Sequence, residues 1–196
     1  SGSGPAETPV RLIVGSPPGG GNDLMARLLA PPRDQILGVK VPPALYSLGG
    51  VPSRDILRML AEEQGRSLDH IAVAHEKEEV YLPLMAQVEP IHAVVEIARA
   101  QHGKIPLAVA SGGTQRIICQ VLDHLKIRPL FDAIVTSEMV KHQKPAPDIF
   151  LEAARRIGVP PQFCRAYEDT DLGMQAIRAA GMEAVDVREL LVRREA

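Results

Sequence analysis

The sequence is poor in aromatic residues, which make up 3% of it, and it contains no tryptophan. Its core must therefore be built from aliphatic side chains and methionine rather than from large rings. Cysteine is also scarce: Cys119 and Cys164 lack the spacing of a metal site, and we interpret them as small core residues rather than as a disulfide. No apolar run approaches the roughly 18 residues that indicate a membrane-spanning helix.

Basic charge is not in excess either, because the formal net charge is −2. This balance gives no sign of a nucleic-acid partner. No charged segment followed by an apolar one resembles a secretion leader, so we expect a cytoplasmic protein. We also expect a monomer with neither a nucleic-acid nor a membrane partner. With 45% hydrophobic and 23% charged residues among 196, the composition is that of a globular protein with one or two domains.

Glycine and proline punctuate the amino-terminal part of the chain. Residues 1–8 begin with Ser-Gly-Ser-Gly, the composition of a flexible linker, and are excluded from the fold. Val10–Val14 is a strand candidate, and Gly15–Gly21 is a glycine-rich turn before a helix that Asn22 or Asp23 caps. Such a turn can hold an anion through its backbone N–H groups, although a plain tight turn is the preferred interpretation.

The rest of the chain divides into a helical segment and an alternating one. No strand candidate occurs from Pro52 to Gln87, and we predict that residues 23–87 form a small helical cap. Residues 9–22 and 88–196 would form the core, where alternating strands and helices predict an α/β fold with a doubly wound parallel sheet. We predict strands at 105–110, 133–136, 163–166 and 184–187, and helices at 91–101, 114–125, 148–157 and 172–180.

Polar clusters follow the strands and should meet at one edge of this sheet, since right-handed crossovers bring the carboxyl ends of parallel strands together. Ser111, Gly112 and Gly113 offer a hydroxyl and backbone N–H groups to phosphate oxygens, although Ser111 could equally cap a helix. Lys144 precedes the rigid segment Pro145–Pro147, and its ammonium could neutralise a phosphate or hold a nucleophilic carboxylate.

A further cluster is acidic. Glu168 and Asp169 stand where a strand ends, and adjacent carboxylates at that edge suit Mg²⁺, which takes oxygen ligands. The alternative is that Asp169 or Asp171 only caps the following helix. Hydroxyl, ammonium and carboxylates at successive strand ends together indicate phosphoryl chemistry, because it needs charge neutralisation from several directions.

Three segments resemble, in wording, order and spacing, the haloacid dehalogenase-like phosphatases of the β-phosphoglucomutase and sugar-phosphate phosphatase branch. They are Val109–Gly113, Lys144–Phe150 and Tyr167–Met182, and the resemblance covers about residues 48–188. It implies that Ser111 holds the transferring phosphoryl group and that Lys144 bridges phosphate and nucleophile.

The same resemblance implies that Glu168 and Asp169 hold Mg²⁺. In the cap, Arg54 and Lys77 would reach the distal end of a small sugar phosphate, although alone each would be read as a solvated helix charge. The implied partner is a small phosphorylated metabolite.

The first strand departs from this family, whose members continue it into Asp-x-Asp-Gly-Thr. The first Asp attacks phosphorus and the second acts as general acid and base. Here Gly15 and Pro17 stand in that segment, and neither can do this chemistry. Residues 9–41 instead resemble the amino-terminal strand, loop and helix of tripartite tricarboxylate transporter binding proteins. The segment Pro9–Asp23 carries this resemblance. The two resemblances together imply a chimera, natural or engineered.

Three functional hypotheses follow. The first is a sugar-phosphate phosphatase or mutase that is inactive or weakly active, with Asp23 as the nearest acidic candidate. The second is a chimera without enzymatic activity, and the third is a carboxylate- or phosphate-binding module that uses Gly19–Gly21. Without the first-loop Asp, Mg²⁺ binding should be weak and Lys144 should turn toward Asp169. By resemblance to the family's strand order, the first strand should lie in the middle of the sheet.

Overall fold

A computed structural model describes residues 11–14, 58–59, 61–65, 88 and 90–192. The predicted linker at 1–8 and nearly all of the predicted cap at 23–87 lie outside the described residues, and so do Arg54, Lys77 and the glycine-rich segment Gly15–Gly21. Within the cap range, residues 58–59 and 61–63 are helical. The division into cap and core therefore stays a prediction.

The described strands are β1 Arg11–Val14, β2 Leu107–Ala110, β3 Ala133–Val135, β4 Cys164–Glu168 and β5 Glu183–Asp186. They form one parallel sheet with the order β3-β2-β1-β4-β5. The first strand is central, as predicted, since Leu12 pairs with Leu107 on one side and with Arg165 on the other. The doubly wound α/β prediction is confirmed.

Helices alternate with these strands. Three-residue 3₁₀ turns lie at Arg128–Leu130, Ser137–Met139 and Pro161–Phe163. The helices are α1 His92–Gln101, α2 Gln115–His124, α3 Asp148–Arg156, α4 Asp171–Ala179 and α5 Val187–Val192. In the part of the chain that the structure describes, every helix is too short or too polar to cross a bilayer.

Helix α5 corrects the predicted strand at 184–187, which ends at Asp186 instead. The carboxylate of Asp186 accepts a hydrogen bond from the backbone N–H of Arg188 at 2.9 Å. A bond of this kind satisfies an amide at the start of a helix, so the chain turns helical directly after the strand.

The core has two layers because side chains of a strand alternate between the faces of a sheet. On one face, small residues of β2 and β4 such as Ala108 and Ala166 pack against α3 and α4, including the fully buried Phe150. On the other face, Leu107 and Val109 of β2 pack against residues of α1 and α2.

Candidate functional site

Buried polar side chains concentrate at the carboxyl edge of the sheet. Among the described residues, those buried with polar or charged side chains either follow or end a strand, or belong to the segment before α3. They are Ser111, Thr136, Ser137, Lys144 and Glu168. Burial of such groups is costly unless they are paired, so this edge is the candidate site.

Lys144 and Glu168 form an ion pair inside the protein. The ammonium Nζ lies 2.7 Å from Oε2 of Glu168, and the two side chains are 1% and 0% exposed. The ammonium also lies 5.1 Å from the centre of the Phe150 ring, within the range of a cation–π contact. Removing two charges from water is repaid only by close and complete pairing.

The other oxygen of Glu168 is held by the start of helix α4. Oε1 accepts hydrogen bonds from the backbone N–H of Asp169 at 3.0 Å and of Thr170 at 3.1 Å, and from the Thr170 hydroxyl at 3.0 Å. Burial acts to raise the pKa of Glu168, but the Lys144 charge and these hydrogen bonds outweigh it and lower the pKa overall. Glu168 is therefore a buried carboxylate that stays ionised.

Helix α4 is capped by Thr170, whose hydroxyl oxygen accepts the N–H of Gly173 at 3.1 Å. The alternative in which Asp169 or Asp171 caps this helix is therefore wrong. A Cβ on Gly173 would overlap the Glu168 carboxyl group. Glycine at this position leaves the room in which the carboxylate can lie against the first turn of the helix.

Asp169 has a different environment from its neighbour. Its Oδ1 is buried and has no hydrogen-bond partner. Burial raises the pKa of Asp169 to about 6, and the adjacent Glu168 adds to this rise. A buried carboxylate oxygen without a donor is an unfavourable arrangement for the protein alone, and it is the arrangement that a cation would relieve.

The segment after β2 is tied to the last residue of β3. Ser111 donates its backbone N–H to Val135 O at 2.9 Å, and its hydroxyl oxygen accepts the N–H of Gly113 at 3.2 Å. Gly112 lies between them. The N-cap position of α2 is Thr114 and not Ser111, which corrects the alternative of a capping Ser111.

The acidic pair fits Mg²⁺ only in part. Asp169 offers an oxygen that lacks a donor, whereas both oxygens of Glu168 already accept hydrogen bonds. No cluster of three or more His, Cys, Asp or Glu side chains that could hold a metal occurs among the described residues. Contrary to the expectation that Lys144 turns toward Asp169, its ammonium bonds to Glu168, because that carboxylate is fixed by the helix and stays ionised.

Sequence reasoning missed the polar residues that link the loops. Glu138 accepts the N–H of Gln115 at 2.6 Å, Gln143 donates to Ser137 O at 2.9 Å, and Asp148 accepts the N–H of His142 at 3.2 Å. The sequence signal that could have found them is the run of polar residues directly after the apolar strand β3. The structure brings Ser111, Lys144, Glu168 and Asp169 to one edge of the sheet, while Arg54 and Lys77 lie outside the described residues.

Known proteins have sequences similar to that of this chain. The haloacid dehalogenase-like hydrolases match residues 39–187. Fructose-1-phosphate phosphatase YqaB of Escherichia coli is 45% identical over 148 residues, 75% of this chain and 78% of that protein. The phosphorylated carbohydrates phosphatase of Thermotoga maritima is 31% identical over 140 residues, 69% of this chain and 64% of that protein.

A solved structure shows the same fold. The crystal structure of β-phosphoglucomutase from Clostridium difficile has a TM-score of 0.75 and 24% sequence identity with this chain. The likeness covers 91% of this chain and 84% of that one.

Proposed function

The chain belongs to the haloacid dehalogenase-like hydrolase family, and on that premise we propose that it is a sugar-phosphate phosphatase or phosphomutase scaffold with little or no turnover. The observation that carries the proposal is the buried Lys144–Glu168 ion pair beside Asp169 at the carboxyl edge of the sheet. An apolar pair of the same shape is often at least as stable. The presence of two buried charges at this edge supports a role in handling a charged ligand.

The roles of the residues follow from their chemistry. The Ser111 hydroxyl and the Gly112 N–H receive phosphoryl oxygens, and the Lys144 ammonium neutralises the charge of the same group. Glu168 fixes the direction of the Lys144 side chain, since it bonds to both the ammonium and the first turn of α4. Arg54 and Lys77 of the cap hold the distal end of the sugar in this proposal.

Mg²⁺ would supply further charge neutralisation at the phosphoryl group. Asp169 is the residue that would hold it, because its buried Oδ1 has no donor. Glu168 is expected to act on the ion only as a nearby charge. A single carboxylate gives weak binding, since Mg²⁺ releases its waters reluctantly.

Low turnover follows from the residues that come after the first strand. Gly15 and Pro17 have neither a nucleophilic nor an acidic side chain, so the covalent route of the family is closed. We further propose that the chain is a chimera without enzymatic activity. The family match begins at residue 39, close to where the likeness to transporter binding proteins ends at 41, and this coincidence supports the idea.

The two curated relatives are named as phosphatases of a sugar phosphate and of phosphorylated carbohydrates. We therefore take small sugar phosphates as the ligand class and place hydrolysis ahead of phosphoryl migration. Purified protein with Mg²⁺ and fructose 1-phosphate should show turnover close to background. A rate of about 1 s⁻¹ or faster that Asp169→Ala abolishes would contradict the proposed inactivity; a rate that Asp169→Ala leaves unchanged indicates a contaminating host phosphatase.

Restoring the missing carboxylate tests the scaffold itself. Gly15→Asp should give measurable Mg²⁺ binding by calorimetry where the parent gives none at ~1 mM. Ser16→Asp is the matched control, because it adds the same charge one residue further along. Equal behaviour of the two variants would show that the first loop does not meet Asp169. Thermal stabilisation by citrate but not by phosphate would favour the carboxylate-binding module instead.

A further inference from the structure

The cap of helix α2 comes from another segment of the chain. Thr114, at the N-cap position, makes no capping bond with its side chain. Instead, the N–H of Gln115 donates to Oε2 of Glu138 at 2.6 Å, and the Thr136 hydroxyl donates to the same oxygen at 3.3 Å. A carboxylate at the start of a helix satisfies a free N–H and complements the helix dipole. Glu138 therefore fixes the end of the segment that carries Ser111.

The turn that contains Glu138 also holds the segment of Lys144. We call Ser137–Met139 the clamp turn. The N–H of Ser137 donates to Gly113 O at 3.1 Å, and Ser137 O accepts from Nε2 of Gln143 at 2.9 Å. Ser137 thus uses both of its backbone groups, one toward each side of the candidate site.

We propose that Glu138 and Gln143 are positioning residues that set the Ser111 hydroxyl and the Lys144 ammonium at a fixed separation through the clamp turn. The inference rests on the proposed phosphoryl site. Hydroxyl and ammonium belong to distant parts of the chain, and the same phosphoryl group must meet both. A displacement of about 1 Å between such groups can cost about 100-fold in rate, so a direct link between their loops has a function beyond folding.

A role in folding alone makes a different prediction. Gln143 is partly buried and Glu138 is exposed, so losing either bond should change stability only slightly. If they position the site, phosphate affinity and the local opening of the opposite loop must change as well. The two interpretations therefore separate on binding and on local exchange rather than on melting.

The test uses the full chain with inorganic phosphate as the probe. Gln143→Met keeps the length of the side chain and removes the donor. We expect it to weaken phosphate binding about tenfold by calorimetry and to speed amide hydrogen exchange at Ser137 about tenfold, the effect of one lost hydrogen bond. Gln175→Met, at an exposed position of α4, is the matched control and should change neither.

Glu138 is tested by a pair of variants. Glu138→Ala should speed exchange at Gln115 and weaken phosphate binding about tenfold. Glu138→Gln keeps an acceptor at the same place, so it should recover much of both. Loss in Glu138→Gln equal to that in Glu138→Ala would overturn the capping role.

The outcomes distinguish this inference from the proposed function. A parent protein that binds no phosphate contradicts the proposed function, and the inference is then decided by exchange alone. Unchanged exchange at Ser137 in Gln143→Met overturns the link between the loops whether or not phosphate binds. Faster exchange with unchanged phosphate affinity, in a parent that does bind, overturns the positioning role.

Discussion

The buried pair between Lys144 and Glu168 and the exposed cluster around Arg188 both lie beside the first turn of helix α4, yet solvent reaches only the second. The Arg188 guanidinium lies 2.8 Å from Asp171 and 2.7 Å from Asp186, as close as the 2.7 Å of the buried pair. Arg188 is 50% exposed and Asp171 80%, against 1% or less for the buried side chains. The nitrogen–oxygen distances of the two clusters are therefore nearly the same, while their exposure to solvent differs.

That difference determines how much each pair matters. Water screens the charges around Arg188, and exposed pairs typically contribute less than about 1 kcal/mol. In the interior, a charge that loses its partner cannot be solvated, so breaking the pair costs far more than forming it gains. The bonds from Thr170 and the backbone make the interior pair dependent on the geometry of one helix end.

Breaking the buried pair should have the largest effect. Lys144→Met leaves Glu168 buried without a cation, and we expect a loss of about 3–5 kcal/mol in the free energy of unfolding at neutral pH. The loss should shrink as the pH falls, because burial then favours a protonated Glu168. Urea unfolding at several pH values measures this.

The double variant Lys144→Met with Glu168→Gln is the control. It removes both charges, so it should be more stable than Lys144→Met alone at pH 7. Additive losses would mean that the two residues act separately, against the structure.

Filling the space beside the pair should have the next largest effect. Gly173→Ala would normally favour a helix, but its Cβ would overlap the Glu168 carboxyl, so we expect a loss of about 1–3 kcal/mol. Gln175→Ala, exposed in the same helix, should be neutral or slightly stabilising. A stabilised Gly173→Ala protein in thermal unfolding would show that the carboxylate has room to move.

Replacing Asp169 should raise stability, in contrast to the two substitutions above. Its pKa is raised to about 6 from 3.8, so the stability that its protonated form contributes is fully present below about pH 4 and is lost as the pH rises through 6. Asp169→Asn should therefore be more stable than the parent at pH 8, by about 1–2 kcal/mol after allowance for partial solvent exposure. The gain should vanish near pH 4.

Unfolding of Asp169→Asn and of the parent in chelator, so that no metal contributes, measures this difference. Asp123 is an exposed aspartate on α2 that pairs with Arg128, and Asp123→Asn is the comparison. This variant should show no such gain in stability at pH 8. An Asp169→Asn gain that is independent of pH would have another cause.

The smallest effect is expected at the surface. Arg188→Gln removes both exposed ion pairs, and we expect a loss below about 1 kcal/mol that high salt reduces further. The Arg188 hydrogen bond lowers the pKa of Asp186, so this contribution should fade as the pH drops through the acidic range. A loss comparable to that of Lys144→Met would remove the contrast between the two clusters.

The alternation of apolar runs and turn residues was enough to predict the parallel sheet and four of the helices. Those features depend on local periodicity, which a sequence displays directly. Helix α5 was missed because a single side chain, Asp186, ends the strand and starts the helix. The central position of β1 came from family resemblance, since no local pattern tells a strand which neighbours it will pair with.

The candidate site was predicted as a set of residues but not as a set of contacts. The Lys144 ammonium bonds to Glu168 rather than to Asp169, because the start of helix α4 holds the Glu168 carboxylate ionised. This preference depends on three-dimensional packing, which the sequence does not display. Glu138 and Gln143 could not be predicted either, because in the sequence they resemble ordinary surface side chains. Only the fold brings them against Gln115 and Ser137.

The central place of β1 has a consequence for the order of assembly. Its partners are Leu107–Ala110 and Cys164–Glu168, so among the described strands the one synthesised first pairs with segments made much later. Contacts between such distant segments form slowly, and an unpaired strand waits meanwhile with its hydrogen-bonding groups open. During synthesis this strand is a target for chaperones or for other nascent chains. We therefore expect the yield of folded protein to depend more on expression rate and temperature than the stability of the finished sheet would suggest.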